Sequence, residues 1–449
     1  MKDGAVFFQN LLNAGFKGKV YPINSAESEI LGLKSYPKVS AIPGPVDYVL
    51  VAVPARLVLE VIEDCAAKGV KAVQIYTAGF REAGTPQGRW LEEKILKRAK
   101  KGKFRIIGPN CLGLYNPSIN LNLWGLPPAE AGSVAIISQS GGVAGRATIA
   151  ASARGVQFSK VVSYGNGSDL DSTDFLEYFA ADPDTRIIGI YIEGVRDGQR
   201  LFQLLHQTCK TKPVVVWKGG KTEAGAEVAM AHTGSLAASN HVWEALSRQA
   251  GMAKVDNQED LVGTLLAFYY LGEFRGHSAG ILCGLTRGGG GESVSATDTC
   301  SSLGLTVPPF SPQTRRELAA ILPWPGTILR NALDVSIVKG AETMKRALDA
   351  IAADPGIDLI IICERIHMLL YRMPKEAVQA INQVFIQLKK KQPKPVVVIS
   401  PLGFPTTSEQ WQIEQELAAA RIPVYSSLEE AAKAIARVSQ YFAWRAGVK

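Results

Sequence analysis

SVAIISQSGGVAGRATIAASARG, residues 133–155, decides the fold. A short apolar run meets a Ser/Gly loop and then an alanine-rich stretch, which is the order of a strand, a turn and a crossover helix. The same order returns at residues 278–304 in SAGILCGLTRGGGGESVSATDTCSSLG. Each copy is followed by an aspartate–proline turn into a strand, DPDTRIIGIYIEGV at 182–195 and DPGIDLIIICERI at 354–366. Each then carries a lysine–proline strand, KPVVVWKGG at 212–220 and KPVVVISPLG at 394–403. Short apolar runs alternating with amphipathic stretches predict parallel sheets covered by helices, an α/β class. The spacings differ, so the two blocks share an architecture without being a strict repeat. What both carry reads as scaffold. What one alone carries is a candidate for function.

Upstream, KVYPIN (19–24), DYVLVAVP (47–54), AVQIYTAG (72–79) and RIIGPN (105–110) read as strands, separated by helical patterns such as ARLVLEVIEDCAAKG (55–69). The segments WGLPPAEAG and YLGEFRGH mark boundaries near 126 and 275, so three domains are expected: 1–125, 126–274 and 275–449. MKDGAVFFQNLLNAG reads as the helix that follows the first strand and glycine loop of a Rossmann-like domain, so that first strand is expected to be missing. Neither a GxGxxG after a first strand nor a Walker GxxxxGK[ST] pattern is present.

A length of 449 residues exceeds one ordinary core, and a balance of 47% hydrophobic and 20% charged residues is that of a soluble globular protein. No apolar run reaches the roughly 18 residues that span a bilayer, and the N-terminus lacks a signal-peptide pattern. Six cysteines are scattered without CxxC spacing, several in apolar runs, which fits reduced thiols in the cytoplasm better than a disulfide framework. The five histidines show no close pairing, so no metal site is expected. A formal charge of +8 favours polyanionic ligands. The lysine clusters KILKRAKKGK (94–103) and LKKKQPKP (388–395) carry no interleaved aromatics and read as solvated helix ends, not as a nucleic-acid surface.

Within SQSGG (138–142), Ser138 and Ser140 offer hydroxyls, while Gly141 and Gly142 allow close backbone approach at a helix N-terminus. The loop reads as a phosphate site or as an ordinary strand-to-helix turn, and TRGGGGE (286–292) leaves the same two choices. AMAHTGSLAA (230–239) places His232 among small residues, in a loop the third block does not match. A neutral imidazole can carry a phosphoryl group if a carboxylate fixes its tautomer. Glu193 lies at a strand's carboxyl end, where open α/β sheets place ligands. Glu364 stands at a similar strand end in the third block without a histidine.

YPIN, LGLKSYPKVSAIPGPVDYVLVAVPA, TAGFREAG, IGPNCLG, ISQSGG, SYGN, YIEGV and AHTGSLA follow one another in the order seen in NDP-forming acyl-CoA synthetases. The chain resembles their α subunit, a relative of the succinyl-CoA synthetase α chain, over about residues 5–270. The third block resembles the family's extra flavodoxin-like domain more loosely. The resemblance implies a Rossmann-like CoA-binding domain followed by two flavodoxin-like domains. It implies an ADP-forming acid-thiol ligase in which His232 is phosphorylated and Glu193 orients it, with Ser138, Ser140, Gly141 and Gly142 holding phosphate. Val53, Pro54, Ala55, Thr77, Ala78, Pro109, Asn110 and Cys111 match motifs that line the family's CoA site. The implied cofactors are CoA and, through a partner, ATP or ADP with Mg²⁺. No ATP-grasp domain follows, so a separate ATP-grasp β subunit is expected, in a heterotetramer or related assembly. A small carboxylic acid is the expected substrate, with no nucleic acid and no membrane. The chain departs from the family's pattern in lacking the N-terminal strand and glycine loop. That departure motivates the alternative of a non-catalytic acyl-CoA-binding or regulatory module. A plain nicotinamide dehydrogenase has only the α/β pattern behind it.

Overall fold

The run Val134–Ser138 forms a strand buried at every position, between Phe158–Ser163 on one side and Ile187–Ile192 on the other. Both neighbours run parallel to it. A central strand covered by helices on both faces buries every residue, which is why the run is apolar throughout instead of alternating. Val214–Lys218 and Ala253–Val255 extend the sheet in parallel beyond Ile187–Ile192. Among these five parallel strands the spatial order is 2-1-3-4-5, so connections leave Val134–Ser138 in opposite directions. The switch point lies between Val134–Ser138 and Ile187–Ile192, and ligands bind at such crevices. Gly113–Asn116 and Leu121–Asn122 add two antiparallel strands at the far edge, giving seven.

The computed structural model describes residues 3–126, 130–233, 240–286, 289–336, 340–401 and 408–448. It divides into one unit of Met1–Ser152 with Gln157–Leu261 and a second of Ala153–Val156 with Val262–Lys449. The first unit holds, besides the seven-stranded sheet, a three-stranded parallel sheet of Tyr48–Val51, Ala72–Ile75 and Arg105–Ile107. Helix Ala55–Lys68 packs on it through Val58, Ile62 and Cys65, spaced to share one face, and ends at Gly69 with φ 73. In helix Pro86–Gly102 the Thr85 hydroxyl accepts the Gly88 amide and proline opens the first turn. Its final turn carries Lys100 and Lys101, and helix Lys375–Lys391 likewise ends on Lys389, Lys390 and Lys391. Both lysine clusters therefore complement helix dipoles.

The N-terminal segment forms helix Asp3–Asn13. KVYPIN does not form the expected strand: only an isolated bridge, Ile23 to Tyr36, is made there. Pro22 has no amide to give to a ladder.

The second unit contains a five-stranded parallel sheet of Leu333–Asp334, Ala279–Cys283, Leu359–Cys363, Val396–Ile399 and Val424–Tyr425, in that spatial order. This is again 2-1-3-4-5, and Leu282, Ile360, Ile362, Val398 and Phe385 belong to its core. Among the described residues no helix is long and apolar enough to cross a membrane.

Ile188 is fully buried between Val134–Ser138 and Val214–Lys218. Ile188→Ala is expected to lower unfolding free energy by about 2–5 kcal/mol in urea titration, from lost burial plus the cavity left behind. Val228→Ala, at a position 69% exposed, is expected to stay within about 0.5 kcal/mol of the parent. Equal effects from the two would contradict this placement of the core.

Candidate functional site

Three loops leave the carboxyl ends of the small parallel sheet, and backbone hydrogen bonding laces them together. The Thr77 hydroxyl donates to the Val53 carbonyl at 2.6 Å. The Asn110 amide donates to the Thr77 carbonyl at 3.1 Å. Asn110 has φ 56, a left-handed conformation that asparagine tolerates better than most residues. The loop after strand Phe158–Ser163 then closes on this assembly. Asn166 donates its amide to Pro109 O at 3.0 Å, and Ser168 to Gly108 O at 3.2 Å. Gly165, with φ +55, comes so near that a Cβ would lie 2.2 Å from Asn110 O and 2.3 Å from Pro109 O. Only glycine fits there.

A cavity of ≈ 750 Å³ opens between these loops and the start of helix Gly141–Ser152. Val53, Pro54, Thr77, Ala78, Asn110 and Cys111 line one part of it, and Ser140, Gly141 and Gly142 another. The first amides of a helix have no acceptor within it, so this wall presents N–H donors and a positive dipole end. Three other singled-out residues stand behind the wall. Ala55 opens helix Ala55–Lys68, Pro109 offers its carbonyl to Asn166, and Ser138 is buried, its hydroxyl donated to Ser140 O at 2.6 Å. Ser138 thus braces the loop. Cys111 is 3% exposed, and burial pushes its thiol up to about 12. It contributes shape and a weak donor, not a nucleophile.

Glu193 is buried one step behind the cavity. The Tyr191 hydroxyl donates to its Oε1 at 3.0 Å. Burial, with the neighbouring Glu193 charge, raises the Tyr191 hydroxyl well above its usual range. Lys218 is also buried, and its ammonium donates to the Gly219 carbonyl. Burial holds Lys218 below the usual lysine value, with Glu193 pulling the other way. A Cβ at Gly219 would lie 2.7 Å from the Tyr191 oxygen, so glycine there lets the strand end close on the Tyr191–Glu193 pair.

His232 stands in the last turn of helix Glu223–Thr233 and not in a loop. The segment EAGAEVAMAHT holds four alanines, two glutamates and a methionine, all strong helix formers. The His232 side chain and residues 234–239 lie outside the described residues.

Two residues of this region escaped the sequence reading. Gln139, between the two loop serines, lines the cavity and accepts the Glu193 amide on its side-chain oxygen at 2.8 Å. Arg146, four residues after Gly142, places Nη1 3.1 Å from where a Cβ would stand on Gly142, and its Nε donates to Gln258 at 3.2 Å. Its position one turn into the helix was the available signal.

The third block is built differently at the matching places. Strand pairing sets Ala135, Ile188 and Val214 in one row, and Gly280, Ile360 and Val396 in the corresponding row of the other sheet. Counting on from these rows, Gln139 matches Gly284, Glu193 matches Arg365, and Lys218 matches Ser400. Glu364 therefore matches Ile192, not Glu193. It is fully buried, neither carboxyl oxygen has a hydrogen-bond partner among the described residues, and burial beside Glu414 pushes it up to about 8. The glycines of the third block surround a carboxylate of the chain itself. A Cβ at Gly284 or Gly289 would lie 2.0 or 2.3 Å from Asp334 Oδ1, which accepts the Ser336 amide at 2.7 Å. The space beside Gly284 and Gly289 is thus taken by the chain's own carboxylate.

The family model described as a CoA binding domain matches residues 1–117, and that described as a succinyl-CoA ligase like flavodoxin domain matches 131–268. The α subunit of acetate–CoA ligase (ADP-forming) II from Pyrococcus furiosus is 33% identical, over 94% of this chain and 90% of that one. Acetate–CoA ligase (ADP-forming) I of Archaeoglobus fulgidus is 38% identical over 80% of this chain, which spans only 51% of that longer protein. The solved dinucleotide-forming acetyl-coenzyme A synthetase 1 of Ca. Korarchaeum cryptofilum, in complex with phosphate and ADP, superposes with a TM-score of 0.83 at 31% identity. The match covers 100% of this chain and 94% of that one.

Cys111 is expected to resist alkylation at pH 8 in the folded chain, because the thiolate is the reactive form and this thiol stays protonated. Mass spectrometry after timed iodoacetamide treatment checks this. Modification of Cys111 within minutes, before unfolding, would contradict it.

Proposed function

The chain belongs to the family of ADP-forming acetate–CoA ligase α subunits, and on that premise we propose that it works as the α subunit of an acyl-CoA synthetase through a phosphohistidine at His232. With a separate ATP-grasp β subunit it interconverts acyl-CoA, ADP and phosphate with carboxylic acid, CoA and ATP. The three-stranded sheet serves as the CoA-binding domain of residues 1–125, followed by flavodoxin-like domains at 126–274 and 275–449. The observation that carries this reading is the shared cavity, where the CoA-motif loops and the first amides of helix Gly141–Ser152 face one space.

The residues divide the work. Val53, Pro54, Thr77, Ala78 and Asn110 receive the thiol-bearing arm of CoA, with Cys111 shaping the floor. Gly141 and Gly142 amides and the Ser140 hydroxyl hold phosphate, with the helix dipole favouring its charge. A phosphate oxygen attacks the thioester carbon, the C–S bond breaks, and CoA leaves as its thiol. The acyl phosphate then gives its phosphoryl group to the His232 nitrogen, releasing the carboxylate. Glu193 holds the imidazole in the required tautomer and stabilises its charged, phosphorylated form. An ADP oxygen finally takes the phosphoryl group and frees the histidine.

Mg²⁺ and the adenine nucleotide are assigned to the ATP-grasp β subunit. The assembly is a heterotetramer or a related complex, working in the cytoplasm on a small carboxylic acid.

Purified with its β subunit and given ATP and Mg²⁺, the chain is expected to form an acid-labile phosphoenzyme that is absent in His232→Ala. Glu193→Gln is expected to slow its formation by about 100-fold or more. Equal labelling without His232 would overturn the assignment. Acyl-CoA binding with no phosphoenzyme in the wild-type complex would favour the non-catalytic module.

A further inference from the structure

We infer that Gln139 is a positioning residue that sets Glu193 from the phosphate loop, through two backbone hydrogen bonds. This rests on the role proposed above for Glu193. The Gln139 side-chain oxygen accepts the amides of both Glu193, at 2.8 Å, and Gly194, at 3.2 Å. The Gln139 amide itself donates to Tyr191 O at 3.0 Å. One residue of the loop therefore grips the strand end on both sides of Tyr191–Glu193, at the switch point of the sheet. Gln139 is 3% exposed yet lines the cavity, so it stands between the ligand space and the carboxylate.

The third block provides an internal control. Its sheet has the same strand order, but glycine stands at the place of Gln139 and Arg365 at the place of Glu193, and there Glu292 accepts the Gly284 amide at 3.3 Å and pairs with Arg365 at 3.5 Å. Bracing an ordinary strand end thus does not require a glutamine. Among the described residues, the glutamine oxygen on two strand-end amides stands beside Glu193, whereas the third block uses an ion pair in its place. A side chain joining the helix N-terminus to the carboxylate fixes the distance between them, and a misplacement of about 1 Å in such a constellation can cost about 100-fold in rate.

Among the described residues, the charged and titratable groups around Glu193 include Tyr191 on its own strand, Lys218 on the next strand and Tyr164 across the loop, with Arg146 beside Tyr191. A carboxylate at position 139 would add one negative charge to this set while keeping the two acceptor bonds.

Two variants in the complex with the β subunit test the inference. Gln139→Leu removes the one oxygen that accepts both amides and is expected to lower kcat and the rate of phosphoenzyme formation by about 10- to 100-fold, with KM for CoA changed less than about twofold. Gln139→Glu keeps the acceptors and is expected to recover most of kcat above pH 8. Two neighbouring carboxyl groups resist ionising together, so the acid limb of its kcat profile should move up by about one pH unit. Gln139→Leu within twofold of wild type would overturn the inference, as would Gln139→Glu as slow as Gln139→Leu at every pH. Should Gln139→Leu not fold, the Gln139→Glu profile alone decides. Absence of phosphoenzyme from the wild type would instead overturn the proposed function, and this inference with it.

Discussion

The cavity depends on one close approach, that of the Gly165 backbone to the carbonyls of Pro109 and Asn110. No side chain fits between them, and the amides of Asn166 and Ser168 complete the contact on Pro109 and Gly108. Each such hydrogen bond contributes only about 1 kcal/mol net, but leaving a buried carbonyl unpaired costs more, so the contact holds or fails as a whole. Its effect is to bring the carboxyl ends of two parallel sheets in the first unit to one space. Ligands of open α/β sheets bind at those ends. The loops after Tyr48–Val51, Ala72–Ile75 and Arg105–Ile107 and the start of helix Gly141–Ser152 can then act on one molecule.

The two flavodoxin-ordered sheets show what the fold requires and what function adds. Both carry a fully buried first strand followed by glycines and a helix, the start of a parallel crossover. In the second sheet the carboxylate of Asp334 occupies the space beside Gly284 and Gly289, and Arg365 stands at the strand end. In the first, the loop faces a cavity, and the strand end holds Glu193 with Tyr191 donating to it and Lys218 buried nearby. Keeping an ammonium and a carboxylate out of water is costly unless their charges offset each other. The mutual influence of Lys218 and Glu193 offsets part of that cost.

Much of this was legible in the amino-acid order, for physical reasons that differ from residue to residue. Strands buried on both faces read as unbroken apolar runs, so Val134–Ser138, Ile187–Ile192 and their counterparts stand out. KVYPIN misled because its apolar residues suggest a strand while Pro22 breaks the ladder. The match of Glu364 to Glu193 failed by one residue, although counting from Asp182 and Asp354 already sets Arg365 opposite Glu193. Gln139 was hidden for a deeper reason: it acts on backbone amides 54 and 55 residues away, and such contacts leave no spacing pattern. Ser138 looked like a ligand group by its place beside glycines, yet its hydroxyl serves the loop's own carbonyl.

In the proposed reaction CoA and phosphate meet in one cavity of the first unit. A crystal structure of the α–β complex soaked with CoA and inorganic phosphate tests it most directly. The account predicts phosphate on the amides of Gly141 and Gly142, with the sulfur of CoA in the same cavity beside Val53, Thr77 and Asn110. Phosphate in the loop after Ala279–Cys283, or CoA bound away from those three residues, would contradict it.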